Sequence, residues 1–556
     1  MSLRSTLIVS LPLVTGLLAG CLDHPVKKVT YDKTQVDDIT VDVQLNKDVD
    51  ILFVIDNSGS MADEQATLSK NFEAFIGVLE RKDVDANYRI GITTTDAGNP
   101  LCKQAQTTPE GGKLVLSSCL DRMALGDFTF NMDDYGYACS DYCKLDDAAL
   151  TDRMKPTETQ YSDGEVAPRR WIERIEGKTN LPDDVSSVEA FQCFGPQGVS
   201  GCGMESHLES MYLALAQASR ADSPTNYGFL RDQAILSVVF ITDELDCSYN
   251  PEFGEIFTTD KTFWSNPDDP QATSAVCFNA GVKCDGDGPT YTNCRSANFG
   301  VDGTEGVSDD QAVLRPLSKY VNFLQTIEDA KKVTQPDQEV LVALIAGVPP
   351  GYETKDADVI YEDSSDPEFQ DSFGIGAGCT LANAMDPDKP QTAVPPVRER
   401  EFAEAFQVGE DRNLFSICQD DYSEALRAIA KTLEAQLKPA CMTECVKDID
   451  PTTPVVDPSC VLTAINAREG TREDIPSCEE VGGEWVAPAG STACFAELID
   501  ADDETPSAID NMDAACVAEG FNLEFKLIRT APAPAGTTFE ATCELSPNPS
   551  QDCPML

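Results

Sequence analysis

Asp56, Ser58 and Ser60 place one carboxylate and two hydroxyls within five residues, in the pattern D-x-S-x-S. All three are hard oxygen donors, with no thiolate or imidazole among them. Such a set suits Mg²⁺, Mn²⁺ or Ca²⁺ rather than a soft transition metal. The pattern directly follows the apolar run Ile51-Leu52-Phe53-Val54-Ile55. A short continuous apolar run reads as a buried strand. The oxygens then sit at the C-terminal end of that strand, where open α/β sheets build ligand crevices. The alternative reading of the same residues is a metal-free loop that caps the next helix.

Positioning these oxygens requires a particular set of elements. Ser60 with Asp63 predicts a capping box at a helix start. Leu68, Phe72, Phe75, Ile76 and Leu79 then recur at helical spacing and predict one apolar face turned to a sheet. Further strands are predicted over 88–95, 235–241, 340–346 and 414–417, with helices around 208–215 and 422–437. Strands alternating with helices predict an α/β fold, a mostly parallel sheet covered by helices.

D-x-S-x-S after a buried strand, an amphipathic helix behind it, and a second buried strand, 235–241, ending Thr242-Asp243 together resemble a von Willebrand factor type A domain with its metal-ion-dependent adhesion site. The resemblance implies a doubly wound, Rossmann-like fold over residues 46–440. It also implies that Asp56, Ser58 and Ser60 from a first loop and Asp243 from a third loop hold one divalent cation, Mg²⁺ before Ca²⁺ or Mn²⁺. In that family a second loop supplies a threonine. The matching stretch here is Gly201-Cys202-Gly203-Met204-Glu205-Ser206-His207, which has none. Glu205, Ser206 or a water is expected to substitute, and Glu205 would add a third carboxylate and shift preference toward Ca²⁺. The family's binding mode implies that an open coordination position accepts a carboxylate from a protein or other partner.

Composition narrows the setting. The 556 residues include 95 acidic and 41 basic side chains, a net charge of −54. No nucleic-acid partner is expected, because phosphate binding needs clustered Lys and Arg. An apolar fraction of 41% suffices for a globular core. There are 21 cysteines. Setting Cys21 aside leaves an even number, compatible with ten disulfides in an oxidising compartment. The Cys-x-x-Cys pairs that zinc favours are absent. Residues 1–20 carry Arg4 and a short apolar run, and Leu18-Ala19-Gly20-Cys21 resembles a bacterial lipobox. That resemblance implies a cleaved signal peptide, a lipid on Cys21 and an outer-membrane lipoprotein held to the membrane by its N-terminal lipid.

Residues 21–45 are expected to be a tether. Within 46–440 two insertions, near 97–200 and 247–312, are expected to hang over the metal face and set specificity. Residues 441–556, with eight cysteines, predict a small Cys-rich module. His207 is expected on a helix surface or at a cap, Glu244 and Asp246 in an exposed loop, and Asp285-Gly286-Asp287-Gly288 in a plain turn. The function expected is ligand binding or adhesion by a surface lipoprotein. The alternative is a structural or assembly scaffold whose metal only stabilises the domain. Enzyme activity is not expected, since no G-x-S-x-G or Walker-type loop occurs.

Overall fold

The computed structural model describes residues 38–42, 47–81, 84–102, 107–145, 150–159, 165–332, 338–382, 390–437, 439–466, 470–501, 505–529 and 537–554. The expected signal peptide 1–20, the lipidation site Cys21 and most of the tether lie outside the described residues. No helix among the described residues is long and apolar enough to cross a membrane.

Seven strands form one sheet: β1 (Asp48–Ile55), β2 (Asn87–Thr94), β3 (Ile172–Ile175), β4 (Lys178–Thr179), β5 (Ile235–Ile241), β6 (Leu341–Ala346) and β7 (Leu414–Ser416). Their spatial order is β7-β6-β5-β1-β2-β3-β4. The run from β7 to β2 is parallel, and β3 and β4 add an antiparallel edge. Seven helices flank this sheet: α1 (Ala62–Asn71), α2 (Glu73–Leu79), α3 (Ser187–Phe194), α4 (His207–Ala218), α5 (Leu317–Lys332), α6 (Val397–Glu404) and α7 (Ser423–Gln436).

Side chains alternate across a strand. Ile51, Phe53 and Ile55 therefore meet α1, α2, α3 and α7 on one face, while Leu52 and Val54 meet α4, α5 and α6 on the other. Burial on both faces explains why these strands read as continuous apolar runs. Phe53 lies beneath Phe72, Phe75 and Phe191, with ring centroids 6.0, 5.7 and 5.2 Å away.

Several expectations change in detail. The single helix expected from the Leu68–Leu79 spacing is two, broken at Phe72. The Ser60–Asp63 capping box does not form: α1 starts after Met61 with no side-chain cap, and the Ser60 hydroxyl instead meets that of Ser58 at 3.3 Å. The stretch 97–200 is not wholly an excursion. Its β3 and β4 widen the sheet, and α3 drives Phe191 and Phe194 into the core beneath β1. A further excursion between β6 and α6 went unanticipated; it carries the hairpin Cys379–Leu381 with Gln391–Ala393.

All twenty cysteines after Cys21 pair into ten disulfides, six within the α/β part and four within 441–556. The C-terminal module has its own small core around Met442, Val446, Leu462, Phe495 and Phe525. The tether reading needs correcting at its end: Asp38–Asp42 is a strand, paired antiparallel with 540–544 of the C-terminal module. The chain thus enters through the module's sheet before building the α/β part. Arg529 of the module forms a buried ion pair with Asp48 at the start of β1.

A candidate metal centre at the strand crossover

The register of the sheet brings the site together. Ile55 pairs with Thr94 on one side and with Ile241 on the other. The residues that follow, Asp56, Thr95 and Thr242, therefore leave three adjacent strands at one level. Strand order reverses between β1 and β5, so the connections leaving these two parallel strands run to opposite faces and leave a crevice at the carboxyl ends.

Asp56 is fully buried there and well held. Its Oδ1 accepts from the Ser58 amide at 2.8 Å and faces the Thr95 hydroxyl at 3.5 Å. Its Oδ2 accepts from the Thr242 hydroxyl at 2.7 Å. Ser58 is buried and Ser60 is exposed, so the serine pair leads from the interior to solvent. Asp243 is buried beside them, its carbonyl fixed by the Val394 amide at 2.9 Å, while its Oδ1 has no hydrogen-bond partner.

The loop before α4 carries Glu205, in the stretch where the resemblance expects a second-loop ligand. Glu205 is fully buried, and neither carboxylate oxygen has a partner. Its backbone is pinned on both sides: the Cys247 amide donates to its carbonyl at 2.6 Å, and the Ser206 amide donates to Thr95 at 2.9 Å. The Cys102–Cys202 disulfide ties this loop to the segment after β2. Two more acids converge: Glu64 on α1 and Glu244 after Asp243, each with one enclosed, unpartnered oxygen.

Enclosed carboxylates repel one another and lose hydration, so their protons bind more tightly. Burial first, and Asp56 second, push the Asp243 carboxyl up to about 7. Burial and the charge of Asp56 hold Glu205 well above the usual carboxylate range. Burial and the charge of Asp243 do the same for Glu64 and Glu244. Buried anionic oxygens without partners are costly. A divalent cation would relieve this, and an all-oxygen donor set fits Mg²⁺ or Ca²⁺. The carboxylates stand somewhat apart. Among the described residues only Cys119, Cys139 and Cys143 bring three such ligand atoms within 4.8 Å of one another, and all three are spent in disulfides.

His207, expected on a helix surface or at a cap, stands at the start of α4 but is fully buried at the site's base. Its Nε2 lies 2.7 Å from the Thr242 hydroxyl and 3.7 Å from Asp56, and its Nδ1 faces Glu399 at 3.3 Å. Burial opposes its protonation, but Asp56, Glu399 and Asp246 together outweigh that and raise its pKa. Asp246, expected in an exposed loop, is also buried: it accepts from the Leu208 amide at the start of α4 and pairs with Arg398 at 3.1 Å. Glu244 is half-buried rather than exposed. The signal for Asp246 and Glu399 lay outside any local pattern, because Arg398 and Glu399 come from α6, far along the chain. The Asp285–Gly288 stretch does lie at the turn of a hairpin, 282–285 with 293–296.

The first insertion closes over the D-x-S-x-S loop. Gln65 donates to the carbonyls of both Asp56 and Gly198 at 2.8 Å. The Gly201 amide donates to Asn57 at 2.8 Å, and the backbones approach so closely that a Cβ on Gly201 would come within 2.3 Å of the Asn57 side chain.

No protein-family model matches this chain, and no curated protein matches it. Among solved structures, the open conformation of the pilus adhesin SpaC from Lactobacillus rhamnosus GG is similar at a TM-score of 0.26 and 10% identity, over 92% of this chain and 41% of that one. A second form of the same adhesin matches at 0.24 and 8%. The chain spans about two fifths of the adhesin's length, 41%. At these TM-scores the likeness carries no argument about fold or function.

Proposed function

We propose that the α/β part is a von Willebrand factor type A domain, that Asp56, Ser58, Ser60, Asp243 and Glu205 hold one divalent cation, and that the loaded site binds a carboxylate of a partner molecule. The observation that carries this reading is Glu205: a fully buried carboxylate with two unpartnered oxygens, facing Asp56 and Asp243 from the loop where the family places its second-loop ligand. The strand order supports it. With β4 set aside, β3-β2-β1-β5-β6-β7 follows the 3-2-1-4-5-6 order of doubly wound sheets. Asp56, Asp243 and Glu205 carry a formal charge of −3 around one cation, which favours tight retention. Their spacing suits an ion that keeps some of its water, as Mg²⁺ does.

The ten disulfides fit an oxidising compartment, and we place the protein at the outer membrane, anchored through Cys21. The chain's own residues hold the ion and leave Ser60, at the exposed end of the donor set, facing solvent. A partner carboxylate would arrive from that side. Nothing in this role needs bond-making, so we infer a binding protein rather than an enzyme. A scaffold whose ion only stabilises the domain is the second reading. The deep burial of Asp56 and Glu205 favours it, since buried ligands serve stability as readily as recognition.

Calorimetric titration of the lipid-free chain with Mg²⁺, Mn²⁺ and Ca²⁺, beside Asp56→Ala, tests the ion. Binding near one equivalent in wild type, lost in the variant, is the expected result. No heat and no change in melting temperature with any of the three ions would overturn it. Partner binding that survives chelation would leave the ion and favour the scaffold.

A further inference from the structure

We propose that the hairpin formed by Thr129–Phe130 and Asp133–Asp134 is the specificity element of this face, and that its occupant is a polypeptide segment in which an acidic residue stands next to an apolar one. This rests on the cation reading above, because the acidic residue is taken to the ion.

The hairpin presents an apolar residue at an energetic cost. Its strands pair antiparallel, and Asn131 and Met132 form the turn with φ of +50° and +74°. Two successive left-handed residues are the geometry of a type I′ turn, for which Asn-Gly is the preferred pair. Methionine stands here where glycine is favoured. A bulky side chain in that region is strained, and Met132 is 97% exposed, so no packing within the chain offsets the strain. Leu125 is 80% exposed, and Phe130 and Tyr137 are 40% and 39% exposed. Lone exposed apolar residues are ordinary, but a set gathered in one short segment marks an interaction site.

Disulfides anchor this segment, and two of its aromatic rings lie close to the serine loop and α1. The Cys119–Cys139 and Cys143–Cys193 disulfides hold the flanks of the hairpin. The Tyr137 hydroxyl donates to Asp63 on α1 at 2.6 Å. The Phe130 ring lies on Gly59, between Ser58 and Ser60, so closely that a Cβ there would meet it at 2.5 Å. A ligand carboxylate at the serine loop would therefore have its neighbouring side chain over Phe130, beside the turn that carries Met132. A surface held in its binding shape loses little ordering entropy on association.

Charge decides what kind of ligand fits. Asp133 and Asp134 follow Met132 directly and are exposed. Bringing the tip to an anionic bilayer would set both against the negative headgroup surface, which repels them. The same aspartates repel an extended acidic partner. One carboxylate with an apolar neighbour meets the ion and the tip without meeting that repulsion.

The test is retention of the full-length, lipid-free chain on an array of short synthetic peptides in Mg²⁺. Each peptide carries one Asp followed by Leu, Phe or Tyr, with Asn-for-Asp and Ser-for-apolar copies beside it. Met132→Gly, which suits the turn and preserves folding, is combined with Leu125→Ser. We expect Asp-apolar peptides to be retained above both copies, and roughly tenfold weaker retention by the double variant, with its calorimetric Mg²⁺ binding unchanged. Equal retention by variant and wild type, or retention of the Ser copies at the same level, overturns the proposal. So does an absence of retention while Mg²⁺ binds normally. Binding to phosphatidylserine vesicles that depends on Met132 also overturns it, in favour of a lipid surface. Retention unaffected by chelator and by Asp56→Ala is a different failure, that of the cation reading.

Discussion

Neutralising Asp243 should change sign with the cation. Burial and Asp56 raise its carboxyl in the fold from 3.8 to about 7. The folded state therefore holds the proton more tightly than the unfolded state does. The resulting penalty is fully present above pH 7 and disappears as pH falls toward 3.8. About three pKa units at roughly 1.4 kcal/mol each make about 4 kcal/mol at pH 8. This is an upper figure, because Asn at this position is equally buried and binds the nearby Ser60 hydroxyl less well. In chelator at pH 8, Asp243→Asn is expected to be more stable than wild type by about 2–4 kcal/mol. At pH 5 that advantage should shrink below about 2 kcal/mol. Saturating Mg²⁺ should erase or reverse the order: an ion present at a thousand times its Kd stabilises by about 4 kcal/mol, and only wild type gains it in full. The assay is denaturant unfolding of both proteins in chelator and in Mg²⁺. A variant that is less stable in both conditions, or an equal Mg²⁺ response in the two proteins, refutes the reasoning.

Phe191→Ala should destabilise the chain by about 3–5 kcal/mol in denaturant unfolding, because it empties a fully buried site stacked on Phe72; an effect under about 1 kcal/mol would mean α3 is a surface element. Arg529→Ala should cost about 3 kcal/mol by stranding buried Asp48 with fewer partners. It should also speed limited proteolysis of the segment joining the two parts, near residue 440, and unchanged cleavage would count against the Arg529–Asp48 contact as the clasp. Glu497→Gln should stabilise by up to about 3 kcal/mol at pH 8 and hardly at all at pH 4. Burial raises that carboxyl to about 7, so its penalty is present above 7 and gone below its unfolded value of 4.5. Equal effects at both pH values would rule out titration as the cause.

Local pattern was enough for the central apolar strands. Apolar runs at 51–55, 235–241 and 340–346 mark strands buried on both faces, and they coincide with β1, β5 and β6, the last starting one residue later at Leu341. The even number of cysteines after Cys21 anticipated ten disulfides, but not which cysteines pair. Pairing depends on where loops lie in space. The Cys-rich composition of 97–200 hid β3, β4 and α3, since it reads as one long loop while Phe191 and Phe194 belong to the core.

The sequence by itself determined which hard oxygen donors follow which strand: Asp56, Ser58 and Ser60 after Ile55, and Asp243 after Ile241. Those facts depend on residue type and short spacing, which the chain carries locally. Only the tertiary structure decided the rest of the site. It turned Glu205 inward, buried His207 between Asp56 and Glu399, and set Phe130 upon Gly59. These contacts join residues tens to hundreds of positions apart. Their geometry is set by strand register, helix packing and disulfide closure, none of which a local pattern encodes.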